Sequence, residues 1–165
     1  MQLLYDQAAL ARIAPGENET LTEAATRTSF YDPSLTSDQI AANQRVVAMS
    51  TRVCEDAAAS PNHAFVAALI DNRFAGFIVC TRHGPDSHEL DWMMVHPDFH
   101  GHGVARRLMD AGLDWLGRAN PIWLTVIAFN ARAIRFYEKF GFAIDHTAKT
   151  THTIPHHIMR RPAST

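Results

Sequence analysis

The chain has 165 residues, 47% of them hydrophobic and 19% charged, with a formal net charge of −2. That is ordinary usage for one globular domain large enough to bury a core. No basic excess exists to neutralise a nucleic-acid backbone, and no stretch approaches the roughly 18 apolar residues of a membrane-spanning helix, so neither nucleic acid nor membrane is expected as a partner.

The opening MQLLYDQAALARIAP lacks the charged start and apolar run of a secretory leader, so a cytoplasmic protein is expected. Residues 3–13 alternate weakly and predict an edge strand. Residues 17–31 and 36–58 read as helices. Asp32-Pro33 stops the first, and Thr36 or Ser37 caps the second. HAFVAALID and RFAGFIVCTR predict a hairpin turning at Asp71-Asn72, and HELDWMMVH a third antiparallel strand after the turn HGPDS. Cys54 and Cys80 fall in a helix and a strand without paired spacing and read as reduced core thiols.

Residues 103–117 carry a helical apolar stripe ending before Pro121, and IWLTVIAF (122–129) reads as a strand buried on both faces. Asn130 caps a helix over 131–140, Gly141 ends it, and weaker strands follow near 142–149 and 152–160. The tail RRPAST is expected to fray. The expected class is α/β (α+β): one domain over 1–165, with a mixed, mostly antiparallel sheet of six to seven strands and helices on both faces. The order is βααβββαβαββ, with a right-handed βαβ unit over 88–129.

Within that unit, VHPDFHGHGVARRL sets two histidines between glycines ahead of a helix. A metal site would need converging ligands. His100 and His102 point apart in extended chain, with no Cys or acid at a familiar spacing, so no metal is expected. The phosphate reading explains more. Gly101 and Gly103 let the backbone turn sharply, and the helix that starts near Val104 leaves its first amides unpaired for an anion, with Arg106 and Arg107 adding charge at the rim. On these residues alone, a plain strand-to-helix turn stands equally well.

Two longer motifs sharpen the choice. LDWMMVHPDFHGHGVARRLMDAGL resembles the central motif of the GNAT superfamily, the general N-acetyltransferases: apolar strand, Val-x-Pro, Arg/Gln-x-x-Gly-x-Gly/Ala, helix. Asn130 through Phe142 resembles the family's N-x-x-A-x-x-x-Y-x-x-x-G-F, so the motifs cover residues 88–142. One position departs: His100 stands where the family carries Arg or Gln, which puts its side-chain contribution in doubt and suggests affinity falling with rising pH if His100 must be charged.

The resemblance implies acetyl-CoA as cosubstrate, held by Met93, Met94 and Val95 along the pantetheine arm and by His100, Gly101, His102, Gly103, Val104, Ala105 and Arg106 at the diphosphate. Amides near Met94 and Val95, at a bulge that splays the strand from 122–129, would serve the thioester oxygen. The base falls to Glu89 or Asp91, which simple alternation sets on one face with Met93 and Val95; both also read as solvated strand residues. Thr125, at the other position some relatives use, cannot act as a base. Tyr137 matches the residue that protonates the departing thiolate, apt for a phenol near pKa 10, or is a core aromatic with a polar tip. Asn130 caps a helix and by resemblance also contacts CoA. Phe30 and Tyr31, with Asp32 and Asp38, line an amine pocket or act as anchor and caps.

The function so implied is acetyl transfer to a primary amine, in a small molecule or a peptide, by direct attack in a ternary complex. A non-catalytic acyl-CoA-binding module and a metal protein are the alternatives. Relatives often pair, which makes a homodimer an expectation too.

Overall fold

The computed structural model describes residues 1–163. Its seven strands are β1 (Gln2–Tyr5), β2 (His63–Ile70), β3 (Arg73–Gly84), β4 (Ser87–Val95), β5 (Ile122–Ile127), β6 (Ala143–Ile144) and β7 (His156–Arg161). The helices are α1 (Asp6–Leu10), α2 (Glu17–Phe30), α3 (Ser37–Ala58), α4 (Val104–Leu116) and α5 (Ala131–Glu138). The strands form one sheet in the order β1-β2-β3-β4-β5-β7-β6. Among the described residues only β4 and β5 pair in parallel, as the βαβ unit requires. The mixed, mostly antiparallel α/β architecture is the expected one.

Both faces of the sheet are covered because β2 over residues 64–70 and β3 over residues 74–80 are apolar at successive positions. Alternation sends Val66, Ala68, Ile78 and Cys80 to one face, where Leu108, Met109, Leu113 and Leu116 of α4 and Tyr137 of α5 pack. Phe65, Ala67, Phe77 and Val79 go to the other, against Ala9, Leu21, Cys54 and Ala57 of α1–α3. Each such fully buried Leu, Ile or Phe is worth about 1.5–3 kcal/mol, so neither layer is dispensable. Both cysteines are buried and free.

Two glycines let α4 lie directly on β3. A Cβ on Gly76 would come 2.6 Å from the Met94 carbonyl oxygen and 3.2 Å from side-chain carbons of Val104 and Leu108, and one on Gly112 would come 2.8 Å from Ile78. This contact fixes the start of α4 beside the end of β4.

Turns and caps form where short-range chemistry favours them. Asp71 and Asn72 take φ +49° and +60° in the two-residue turn. Thr36 caps α3 in a reciprocal box with Gln39. Several boundaries differ from expectation. The predicted strand over 3–13 stops at Tyr5, because Asp6 turns the chain at φ +47° and its carboxylate accepts the Phe65 amide at 2.9 Å, starting α1. The predicted strand 122–129 ends at Ile127 and is not buried on both faces: Ile122, Leu124 and Val126 are buried, Trp123 and Thr125 half-buried.

The two weak strands shrink to β6 and β7. Asp145 ends β6 by taking the Thr147 and Ala148 amides and the Arg160 guanidinium. The tail is less free than expected, since Arg160 and Arg161 pair with Trp123 and Ile122 in β7. Ser164 and Thr165 of that segment lie outside the described residues.

Candidate active site in the fork between two parallel strands

β4 and β5 pair only through His88–Ile122 and Glu89–Trp123. Beyond that they diverge, so among the described residues the β5-facing edge of residues 90–95 has no strand partner. On the second face α2 ties the diverging ends together: Ala25 packs in the cluster holding Trp92 and Met94, while Phe30 packs on Ile127 and Ile154.

A bulge shapes β4 itself. Val79 faces Trp92 and Cys80 faces Leu90, leaving Asp91 without a partner. The bulge therefore lies at Asp91 and not near Met94. It also breaks the alternation: Leu90, Met93 and Val95 pack in the α4 cluster, while Trp92 and Met94 pack on the α2 side. Glu89 precedes the bulge and faces opposite to Leu90, so Glu89 does not share a face with Met93 and Val95 as an unbroken pleat implied.

At the end of β4 a 3₁₀ turn (Pro97–Phe99) leads into the glycine loop. Gly101 and Gly103 take φ +83° and +76°, and a Cβ at either would meet open space. Conformation, not crowding, demands glycine there. The helical ladder of α4 starts with the Arg107 amide on the Gly103 carbonyl at 3.1 Å, and no side chain caps the helix. Among the described residues the amides of Gly101, Gly103, Val104, Ala105 and Arg106 thus have no acceptor. A row of unpaired donors at the positive end of a helix dipole suits an anion.

The side chains around the loop differ from expectation. Arg106 leans along the helix to Asp110 at 4.0 Å, away from the loop. The His100 Nδ1 lies 3.1 Å from Arg132 Nη1. Burial, then the Arg132 charge, hold the His100 pKa below its ordinary value, so a charged His100 is not what the loop offers. His102 turns its Nδ1 to the His100 carbonyl at 3.2 Å. Each ring is engaged separately, and no group of three or more His, Cys, Asp or Glu among the described residues could hold a metal ion.

At the closed end of the fork sits a polar cluster from three strands. Glu89 is 9% exposed and its Oε2 lies 2.5 Å from His83 Nε2. The His83 ring stacks on Trp123 with centroids 5.8 Å apart, and the Trp123 indole donates to the Ser87 hydroxyl at 3.3 Å. Asp91 is open to solvent along one side yet has protein around most of it. That burial pushes its carboxyl up to about 7; the Glu89 charge adds to the rise and His83 opposes it.

Tyr137 lies on the opposite side of the sheet, 8% exposed, edge-on to Phe136 and Phe142. Among the described residues its hydroxyl has no hydrogen-bond partner. Burial pushes it up to about 12, above the value near 10 expected of a free phenol, so it stays protonated throughout the working pH range. The Asn130 Oδ1 accepts the Ala133 amide at 3.1 Å, capping α5 and leaving the side-chain NH₂ unused. The cap reading and the ligand reading therefore do not compete.

On the acceptor side, Phe30 is packed in a core cluster rather than facing a pocket. Tyr31 donates its hydroxyl to Glu23 at 2.9 Å. Asp32 accepts the Ser34 amide at 2.9 Å, a turn-forming role. His83, Trp123 and Arg132 escaped the sequence reading. His83 is diagonal to Glu89 through the Thr81–Glu89 pair, which only strand register reveals.

A profile of the acetyltransferase (GNAT) family matches residues 24–142. The chain is 37% identical over 91 residues to an uncharacterized N-acetyltransferase of Mycobacterium tuberculosis, a match covering 53% of this chain and 57% of that protein. It is 34% identical over 88 residues to a mycothiol acetyltransferase of Acidimicrobium ferrooxidans, covering 50% of this chain and 28% of the other. The chain thus spans little more than half the length of the mycobacterial relative. Its fold is that of the PaiA N-acetyltransferase of Thermoplasma acidophilum, solved in complex with coenzyme A: TM-score 0.65, 17% identity, 98% of this chain and 99% of that one.

Proposed function

The chain belongs to the acetyltransferase (GNAT) family, and from that membership we propose that it transfers an acetyl group from acetyl-CoA to a primary amine by direct attack in a ternary complex. The observation that carries this reading is the fork: an unpaired β4 edge that leads straight into five unpaired amides at the start of α4. An extended pantetheine arm with a diphosphate at its end matches that sequence of donors and acceptors.

In this reading the edge at Met93, Met94 and Val95 holds the arm as an added strand. The segment from His100 through Arg106 holds the diphosphate. The free NH₂ of Asn130 reaches the arm from the start of α5. Amides exposed along β4 past the bulge stabilise the negative charge that develops on the thioester oxygen.

Asp91 is the better base of the two acids. A carboxyl near 7 is part-ionised at neutral pH and matched to proton transfer, whereas Glu89 is engaged by His83. Asp91 takes the amine proton, directly or through a water. The amine nitrogen bonds to the acetyl carbon, the carbon–sulfur bond breaks, and the thiolate leaves. Tyr137, still protonated and without a competing partner, donates to that sulfur. With a pKa near 12 it works first as a hydrogen-bond donor rather than as the ready proton source a phenol near 10 would be.

The acceptor enters past Tyr31 and Glu23 toward Glu89, Asp91 and Trp123. Three carboxyl groups and an indole favour a cationic amine. The two buried thiols fit a reducing, cytoplasmic setting, and no helix among the described residues is long and apolar enough to cross a membrane. Whether two copies pair is read by mass measurement in solution.

The test is release of free CoA thiol from acetyl-CoA with a panel of small amines, aminoacyl compounds and peptides. Amine-dependent release is expected. CoA binding with no release for any class of amine would favour a binding module instead.

A further inference from the structure

His100 occupies the loop position where the motif has Arg or Gln, and Arg132 stands beside it. Their contact, His100 Nδ1 to Arg132 Nη1 at 3.1 Å, joins the loop before α4 to the first turn of α5 across 32 residues of sequence. A guanidinium can only donate, so Nδ1 is the accepting nitrogen and the ring is neutral with its proton on Nε2. Burial and the Arg132 charge both favour that neutral form. His100 therefore brings no charge of its own to the loop; it fixes the position of one.

Two of the nearby arginines are drawn toward carboxylates. Arg73 pairs with Asp98 at 3.2 Å and lies over the Phe99 ring. Arg106 leans away toward Asp110. Arg132 is exposed, and among the described residues no carboxylate pairs with it. A guanidinium held by a neutral acceptor keeps its full charge and most of its donors for an anion.

We propose that Arg132, oriented by His100, binds the diphosphate of the CoA thioester and replaces the cationic or amide side chain that the first motif position ordinarily supplies. The inference rests on the acetyl-CoA reading above but assigns a residue that the loop motif does not contain. It also gives His100 a role as a positioning residue in place of a direct ligand.

Dissociation constants for CoA and 3′-dephospho-CoA, measured by calorimetry on the full chain and its variants, test this. Arg132→Gln is expected to weaken both ligands alike, by about tenfold or more, the scale of a lost charged hydrogen bond. His100→Ala loses less, and His100→Gln, whose carbonyl oxygen can still accept from the guanidinium, keeps most of the affinity. Adding His100→Arg to Arg132→Gln restores binding. Arg52→Ala, which removes one positive charge from α3, leaves both constants unchanged.

Wild-type affinity in Arg132→Gln would overturn the proposal. So would a loss for CoA with 3′-dephospho-CoA spared, since the guanidinium would then be reading the 3′-phosphate. Equal losses in Arg52→Ala would reduce the effect to net charge and overturn it too. Failure of the unmodified chain to bind CoA removes the acetyl-CoA reading itself. Firm wild-type binding with an indifferent Arg132 removes only this assignment.

Discussion

The Glu89 carboxylate is tied to the His83 ring at 2.5 Å, two residues before a carboxyl that burial pushes up to about 7. In the proposed reaction the two acids, which the sequence alone leaves equivalent, take different parts. Glu89 is held by His83. Asp91, on the bulge, has no such partner and is the proposed base.

That division sets the pH dependence. Asp91 must be ionised to accept a proton, so kcat/KM is expected to rise with pH and level off above about 7. Asp91→Asn lowers kcat by about a hundredfold or more and removes this limb. In Glu89→Gln the limb moves to lower pH, because the neighbouring negative charge that raises Asp91 is gone. A limb that stays in place in Asp91→Asn would assign the base elsewhere.

The same shift predicts a stability effect. The folded pKa of Asp91 lies above its ordinary value, so the resulting preference for the folded state is complete below the ordinary carboxylate range and is lost as pH rises through about 7. Asp91→Asn is therefore expected to melt above the unmodified chain at pH 8, with the gap closing toward pH 4. Thermal melts at the two pH values read this directly. A gap of equal size at both would mean that packing, not charge, separates them.

Tyr137→Phe keeps the ring that packs against Phe136 and Phe142 and removes a hydroxyl with no protein partner. Melting temperature should hold while kcat falls roughly a hundredfold, the scale of one lost donor to developing charge, and KM for acetyl-CoA changes little. Unchanged turnover would make Tyr137 a core aromatic and nothing more.

Asn130 separates two roles cleanly. Asn130→Ala costs about 1 kcal/mol of stability by removing the α5 cap and also weakens CoA binding. Asn130→Ser keeps a capping oxygen without the amide NH₂, so stability recovers and affinity does not. Full affinity in the serine variant would confine Asn130 to capping.

The parts of the site that could be read from the chain are those made by short-range rules. The turn at Asp71-Asn72, the Asn130 cap and the positive-φ glycines at 101 and 103 each follow from residues within a few positions of one another. What escaped depends on pairing between distant segments. Counting alternate residues along HELDWMMV assumes an unbroken pleat, and the bulge at Asp91 exists only in the register of β4 against β3. The role of His83 needs that same register. Arg132 meets His100 only because α4 and α5 pack on one face of the sheet, and the involvement of Arg160 and Arg161 in β7 needs β5 as partner. Phe30 looked like a pocket residue because its burial comes from Ile127 and Ile154, far along the chain.

A crystal structure of the chain with coenzyme A tests the proposed function most directly. The diphosphate should sit on the amides of Gly101 and Gly103 through Arg106, with the pantetheine lying along the unpaired edge of β4. Density for the ligand anywhere else on the protein, or a fork that stays empty at saturating coenzyme A, would contradict it.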